Sequence, residues 1–156
     1  MKKQNLGANG SVVSEIEIVY KNKAKEKTKI KTSLDAYNVF KSVYDFNKIE
    51  HKEMFYCLYL NRANTVLGVL LISEGGTKAT IADPKIIFQG ALKLNASAVI
   101  LSHNHPSGNM KASSEDISLT RRVKDGGKLL GIDILDHLIV GPEENVYLSM
   151  SDEGIF

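Results

Sequence analysis

The stretch SAVILSHNHPSGNMKASSED, residues 97–116, passes from an apolar run through a turn-rich loop to the start of a helix. Residues 97–102 are apolar apart from their flanking serines, which is typical of a strand buried on both faces. Pro106 lacks an amide donor and Gly108 tolerates turn conformations, so the chain leaves the strand there. Residues 114–130 then follow as a helix that Gly131 ends. The stretch therefore predicts a buried strand, a loop and a helix.

Periodicity on both sides of this stretch predicts the remaining elements. Apolar and polar residues alternate where strands are expected, and apolar residues recur at three and four positions where helices are expected. Helix starts are indicated by a capping pattern at Thr32 and Asp35 and by Asp83 followed by Pro84. The predicted fold is one mixed α/β domain, a central sheet flanked by helices. The further strands cover residues 12–20, 54–60, 65–72, 132–140 and 146–150, and a further helix covers about residues 34–46.

Composition restricts the class of protein. The chain has 156 residues, of which 43% are hydrophobic and 24% charged, values ordinary for a globular domain. Its one cysteine, Cys57, excludes an internal disulfide and a thiolate zinc site, and core packing is its expected role. The first residues lack the apolar run of a signal peptide, and the apolar stretch 65–72 is too short to cross a bilayer. A cytoplasmic protein without membrane contact is expected.

Lysine occupies every odd position from residue 21 to residue 31. In an extended strand this period would place all six ammonium groups on one face. Such a stripe could contact a nucleic-acid backbone weakly, or it could discourage pairing of an edge strand with another molecule. The second interpretation is favoured because no aromatic residues interleave with the lysines. The six residues are Lys21, Lys23, Lys25, Lys27, Lys29 and Lys31.

Two histidines and an acid in the opening stretch have the spacing of a metal site. His103 and His105 are two apart, so on an extended segment their side chains point the same way and Asn104 faces away. Asp116 falls in the first turn of the next helix, from which its carboxylate can reach the imidazoles. Two imidazoles and a carboxylate leave one position open, as in catalytic zinc sites. The pattern predicts one zinc ion per chain, although Ser113 and Asp116 also form an ordinary capping box.

The spacing H-x-H-x7-S-x2-D resembles the signature of the JAMM (MPN+) metallopeptidase domains. The segments SHNHPSGN, SSEDISLTRRVKDGGKLLGI, LDHLIVG and ADPKIIFQGALKLNASAVIL are similar to the RadC-like JAB branch of that superfamily, and the similarity is strongest over residues 53–154. The resemblance implies an MPN-type fold with a curved mixed sheet and a zinc ion at its edge. The expected division is a tail and basic strand over residues 1–32 and the MPN/JAB-like domain over residues 33–156.

The resemblance also implies roles for individual residues. Glu53, in KEMFYCLYLN, matches a general base that takes a proton from a zinc-activated water and passes it to the leaving amine. Ser113 matches a residue that stabilises the tetrahedral intermediate or steadies the site. Glu74, in SEGG, is the rival candidate for the base. The implied activity is hydrolysis of a peptide or isopeptide bond in an unidentified peptide or protein.

Other interpretations stay open or are rejected. His51 and Glu53 imitate the H-x-E of zinc deaminases, but the P-C-x-x-C that this chemistry needs is absent. Asp136 and His137 either orient a metal ligand or form an ordinary strand pair. Longer RadC-type proteins carry an additional N-terminal helical domain and often read His-Pro-Arg at residues 83–85. The alternative function is a DNA-repair or mobile-element accessory protein that binds nucleic acid through the lysine stripe. A purely structural role is disfavoured by the intact ligand set.

Overall fold

The computed structural model describes residues 27–75 and 82–156. In this part of the chain five strands form one mixed, open sheet in the order β2-β1-β3-β4-β5, flanked by three helices. The predicted α/β class is confirmed, whereas the predicted strand over residues 12–20 lies outside the described residues. In chain order the elements are α1 (Ser33–Lys41), β1 (Met54–Leu60), β2 (Val66–Glu74), α2 (Pro84–Leu94), β3 (Ala98–Asn104), α3 (Ser114–Leu130), β4 (Asp133–Val140) and β5 (Tyr147–Ser149).

Strand β3 lies at the centre of the sheet and is buried along its whole length. It pairs antiparallel with β1 and parallel with β4, and α3 is the crossover between the two parallel strands. Because the carboxyl ends of parallel strands lie at the same edge, the end of β3, the end of β4 and the start of α3 come together. His103, near the end of β3, lies at this edge.

The two faces of the sheet support separate cores. Alternate residues of β3 contribute to each, with Ile100 on the face covered by α1 and Leu101 on the face covered by α2 and α3. Cys57 is fully buried in the second core, and burial raises the pKa of its thiol. The predicted packing role of Cys57 is therefore confirmed.

Helix α1 is shorter than the pattern predicts. Its capping box at Thr32 and Asp35 is present, but the helix ends at Lys41 and not near residue 46. Beyond the helix, Tyr44 turns inward, and its hydroxyl lies 3.1 Å from Ser102 Oγ and 3.3 Å from the Met54 carbonyl oxygen. This docking onto the sheet takes the chain off the helical path although the apolar spacing continues.

The other two helices begin where their capping signals predict. Asp83 accepts a hydrogen bond from the Lys85 amide before α2, and Ser113 caps α3. Helix α3 passes close to the start of β4, because a Cβ atom at Gly127 would overlap the carbonyl oxygen of Ile132. A glycine at residue 127 is therefore required by this close approach.

Part of the lysine stripe lies in the described chain. Lys29 forms a single antiparallel bridge with Thr65, and Lys27, Lys29 and Lys31 are exposed while Ile30 is buried. The expected strand is reduced here to that bridge, and Lys21, Lys23 and Lys25 lie outside the described residues. Among the helices of the described chain, none has the length and apolar character needed to cross a bilayer.

Candidate metal centre

His103 and His105 converge at the carboxyl end of β3. Their Nε2 atoms are 2.8 Å apart, and the His103 side chain is almost completely buried whereas that of His105 is 17% exposed. The alternation of an extended segment places both imidazoles on one side and Asn104 on the other, as the sequence predicts.

Asp116 reaches the same point from the first turn of α3. Its Oδ1 lies 3.2 Å from His103 Nε2, and its Oδ2 lies 3.5 Å from His105 Nε2. The amide and the hydroxyl of Ser113 each donate to Asp116 Oδ2 at 2.7 Å, and the Asp116 amide donates to Ser113 Oγ at 3.1 Å. The capping box and the convergence of ligands are thus the same structure, because the cap fixes the carboxylate beside the imidazoles.

The spacing of these donor atoms fits a tetrahedral ion. Zinc ligands about 2.0–2.1 Å from the metal lie about 3.3 Å from one another at tetrahedral angles. The distance of 2.8 Å between the two Nε2 atoms, and those of 3.2 and 3.5 Å from these atoms to the two carboxylate oxygens of Asp116, bracket that value. His105 Nδ1 donates to the Asn109 carbonyl oxygen at 2.6 Å, which leaves its Nε2 as the ligand atom. Within the described residues this is the sole cluster of three or more histidine, cysteine or acidic side chains that could bind a metal ion.

Electrostatics favour a charged Asp116. Burial opposes ionisation of its carboxyl group, but hydrogen bonds from His103 and His105 outweigh burial and hold the pKa well below its usual range. The hydrogen bond to Asp116 in turn raises the pKa of His105 against the opposing effect of burial. An anionic carboxylate beside two imidazoles is a donor set suited to a divalent cation.

Glu53 and the loop that follows β3 form a cleft beside these ligands. The cleft has a volume of about 290 Å³ and is lined by Glu53 and by side chains from residues 105–113, including His105 and Ser113. The negative charge of Glu53 contributes to the raised pKa of His105. The position predicted for the base therefore lies in the wall of the cleft.

The rival acid has a different partner. Glu74 ends β2, and its carboxylate pairs with Lys52 Nζ at 2.8 Å. It is not among the residues that line the cleft. The geometry favours Glu53 over Glu74 as the carboxylate beside the metal ligands. His51, the other half of the apparent H-x-E, is exposed in the turn that precedes β1.

Asn104 has a role that sequence reasoning missed. Its fully buried amide accepts a hydrogen bond from the Met54 amide at 2.8 Å and donates to the carbonyl oxygens of Lys52 at 2.8 Å and Ile49 at 2.6 Å. These contacts hold the chain on both sides of Glu53. A polar residue between two ligand positions of a buried strand is the signal that could have indicated such an anchor.

The Asp136–His137 pair is divided between the two faces of β4. His137 Nε2 lies 2.8 Å from His103 Nδ1, and His137 Nδ1 lies 2.7 Å from Thr120 Oγ1. Asp136 instead accepts from Ser149 Oγ at 2.6 Å and from the Ser151 amide at 3.0 Å, and burial raises its pKa. Of the two alternatives, His137 contacts a predicted ligand whereas Asp136 anchors the chain after β5. Thr120 carried no signal in the sequence.

Comparisons with known proteins agree with this geometry. Residues 30–155 match the RadC-like JAB domain. A UPF0758 protein of Methanosarcina mazei is 42% identical over 128 residues, which cover 82% of this chain and 54% of the relative. A UPF0758 protein of Flavobacterium johnsoniae is 36% identical over 149 residues, which cover 94% of this chain and 63% of the relative.

A third relative, a UPF0758 protein of Desulfitobacterium hafniense, is 45% identical over 104 residues, which cover 67% of this chain and 45% of the relative. The chain thus spans about half to three fifths of the length of these curated relatives. The family match covers the sheet, the three helices and all of the candidate metal ligands. The chain therefore belongs to the RadC-like JAB domain family.

Proposed function

We propose that this protein is a zinc-dependent hydrolase that cleaves an amide bond, either a peptide or an isopeptide bond. The observation that carries the proposal is the convergence of three metal-binding donor atoms beside a cleft whose wall contains the carboxylate of Glu53. A metal centre and a nearby base are the two components that hydrolysis by an activated water requires.

His103, His105 and Asp116 would hold the ion through Nε2, Nε2 and a carboxylate oxygen. A zinc ion held there would lower the pKa of water to about 7 and would polarise a carbonyl group. Glu53 accepts the proton of the attacking water and delivers it to the nitrogen of the leaving amine.

Ser113 serves the same reaction in two ways. Its backbone amide holds Asp116 Oδ2, so Asp116 remains anchored when the hydroxyl turns away. The single hydroxyl proton, which the structure directs at Asp116, can then be donated to the oxygen that gains negative charge during attack. Ser113→Ala would remove this donor and retain the backbone contact.

The decisive experiment compares Glu53→Gln with Glu74→Gln. Cleavage is measured on a mixed library of peptide and isopeptide substrates, and zinc content is measured on the same samples. Glu53→Gln should retain zinc and lose about 10²- to 10⁴-fold in rate, because only the base is removed. Glu74→Gln should keep most of the cleavage rate, since the partner of Glu74 is Lys52 at an exposed site. Equal rates in wild type and Glu53→Gln would contradict the assigned role.

The alternative, nucleic-acid binding through the lysine stripe, is supported by the exposure of Lys27, Lys29 and Lys31. Lys29 forms its β-bridge with Thr65, which lies next to the carboxyl end of β1, whereas Glu53 directly precedes the amino end of that strand. At about 3.3 Å per residue, β1 separates these two regions by about 20 Å. A DNA affinity that falls steeply with salt, and is lost when the six lysines are neutralised, would favour this function. Neutralising the six lysines should leave zinc binding at the metal centre unchanged.

A further inference from the structure

A buried chain of hydrogen bonds connects two of the metal-binding residues through Thr120 and His137. Thr120 Oγ1 donates to the carbonyl oxygen of Asp116 at 2.6 Å and lies 2.7 Å from His137 Nδ1. His137 Nε2 lies 2.8 Å from His103 Nδ1. The residues His103, Thr120 and His137 are fully buried.

The number of available protons determines the direction of each bond in this chain. A hydroxyl group has one proton, and a carbonyl oxygen can only accept. Because Thr120 gives its proton to the Asp116 carbonyl, it must accept at its other contact, and His137 Nδ1 must be the donor there. A neutral His137 with its proton on Nδ1 has an acceptor at Nε2, so His103 Nδ1 donates to it. The remaining nitrogen of His103, Nε2, is then the one that faces Asp116 and His105.

Water does not provide an alternative partner inside this chain. The Phe55 ring stacks against His103 at a centroid distance of 6.0 Å and meets His137 edge-on at 5.4 Å. Phe55 is 2% exposed, so it closes the site from solvent on that side. The polar atoms must therefore satisfy one another, since an unpaired buried donor or acceptor costs about 1–3 kcal/mol.

We propose that Thr120 and His137 are positioning residues that hold His103 with a proton on Nδ1 and with Nε2 directed at the metal position. The inference rests on the metal centre of the proposed function but not on amide hydrolysis. The chain is also a closed ring, because Asp116 accepts at its carbonyl oxygen and faces His103 Nε2 at 3.2 Å through its carboxylate. Helix α3 and strands β3 and β4 therefore hold the ligand atoms in place together.

Without the ring, His103 can place its proton on Nε2, where it blocks a metal. Thr120→Val has nearly the same shape but can neither donate nor accept, whereas Thr120→Ser keeps the hydroxyl. Zinc affinity, measured by competition with a chelator, should weaken about 10- to 100-fold in Thr120→Val, which is usual for loss of a group that orients a metal ligand. Thr120→Ser should bind zinc about as wild type does.

The second readout is made without metal. Nitrogen NMR of histidine-labelled, metal-free protein should show a proton on His103 Nδ1 in wild type and Thr120→Ser, and a partial loss of that proton in Thr120→Val. Tyr44→Phe is the matched control, since it removes a buried hydroxyl on the opposite face of the sheet, bonded to Ser102 at 3.1 Å. It should change neither the His103 signals nor zinc affinity. Where valine prevents folding, Thr120→Ala supplies the same loss of hydrogen bonds.

Three results would overturn the inference. They are a wild-type His103 without a proton on Nδ1, an unchanged zinc affinity in Thr120→Val, and an equal loss of affinity in Tyr44→Phe. A wild-type protein that binds zinc and has the expected proton on His103 Nδ1, but cleaves no amide, would contradict the proposed hydrolase activity. The same result would support the positioning role of Thr120 and His137. A wild-type protein that binds no divalent metal would overturn both.

Discussion

Asn104 holds the peptide groups on both sides of Glu53, through the Lys52 carbonyl oxygen and the Met54 amide, each at 2.8 Å. The neighbours of Asn104 in the sequence, His103 and His105, face the opposite way, towards the metal position. One tripeptide at the end of β3 therefore positions both the two candidate histidine ligands and the candidate base. The distance between base and ligands is set by the backbone of a central strand and not by a loop.

Replacing the anchor should separate metal binding from catalysis. Asn104→Leu retains the size of the side chain but leaves the Lys52 and Ile49 carbonyl oxygens and the Met54 amide without their partner. We expect zinc content to stay near one per chain and the cleavage rate to fall about 100-fold, because a shift of about 1 Å in a reacting group costs that much. Each unpaired group should also lower the free energy of unfolding by about 1–3 kcal/mol. A full cleavage rate in this variant would contradict the anchoring role.

Metal content provides the most direct check of the ligand set. Wild-type protein purified at neutral pH is expected to hold about one zinc ion per chain, measured by elemental analysis, because three protein ligands suffice for a catalytic zinc site. The double variant His103→Ala, His105→Ala should hold none. His51→Ala is the matched control, since His51 is exposed in a turn and is not a member of the ligand cluster, and this variant should keep its zinc. A wild-type protein that contains no metal would contradict the proposed zinc-dependent hydrolysis.

The pH dependence of stability should differ between metal-free and zinc-loaded protein. The pKa of His105 is raised above 6.5 by Asp116, so their pairing stabilises the metal-free fold below pH 6.5 and is lost as the pH rises through the folded pKa. The pKa of Asp116 is lowered from 3.8, so its contribution is lost only as the pH falls below that value. Zinc requires neutral imidazoles, and protons therefore compete with it.

We expect the stabilisation by zinc to grow from pH 6 to pH 8. The measurement is chemical unfolding of the same protein with zinc and with a chelator across this range. Asp116→Asn should flatten the metal-free profile above pH 6.5, because His105 loses the charge that raises its pKa. A stabilisation by zinc that is constant over the range would argue against histidine ligands.

A fold prediction concerns the contact between α3 and β4. Gly127→Ala should lower the free energy of unfolding by about 1–3 kcal/mol, because the new Cβ meets the backbone oxygen of Ile132, which cannot rotate away. Gly126→Ala is the matched control, since its Cβ would approach the Phe88 ring at 2.9 Å and a side chain can move. Urea unfolding compares the two. Equal stability of the two variants would contradict the close packing at Ile132.

The parts of the site that were predictable depend on local sequence. Ser113 and Asp116 are three residues apart and define the start of α3, and His103 and His105 are two apart on one strand. Thr120 and Asn104 were missed because their partners are distant: His137 lies 17 positions from Thr120, and Met54 lies 50 positions from Asn104. Helix α1 was predicted too long for a related reason, since Tyr44 meets Ser102 across 58 positions.

Helix α3 also has an electrostatic consequence for the cleft. The seventeen aligned peptide dipoles of α3 place a positive pole of about half an elementary charge at its first turn, beside Ser113. That pole weakens the attraction for a cation and stabilises any oxygen that becomes negative at the wall of the cleft. The negative charge of Asp116 offsets the weaker attraction for a cation, whereas the stabilisation of a negative oxygen remains. The same helix end would thus lower metal affinity while it favours the negative charge that the proposed attack on an amide would build up.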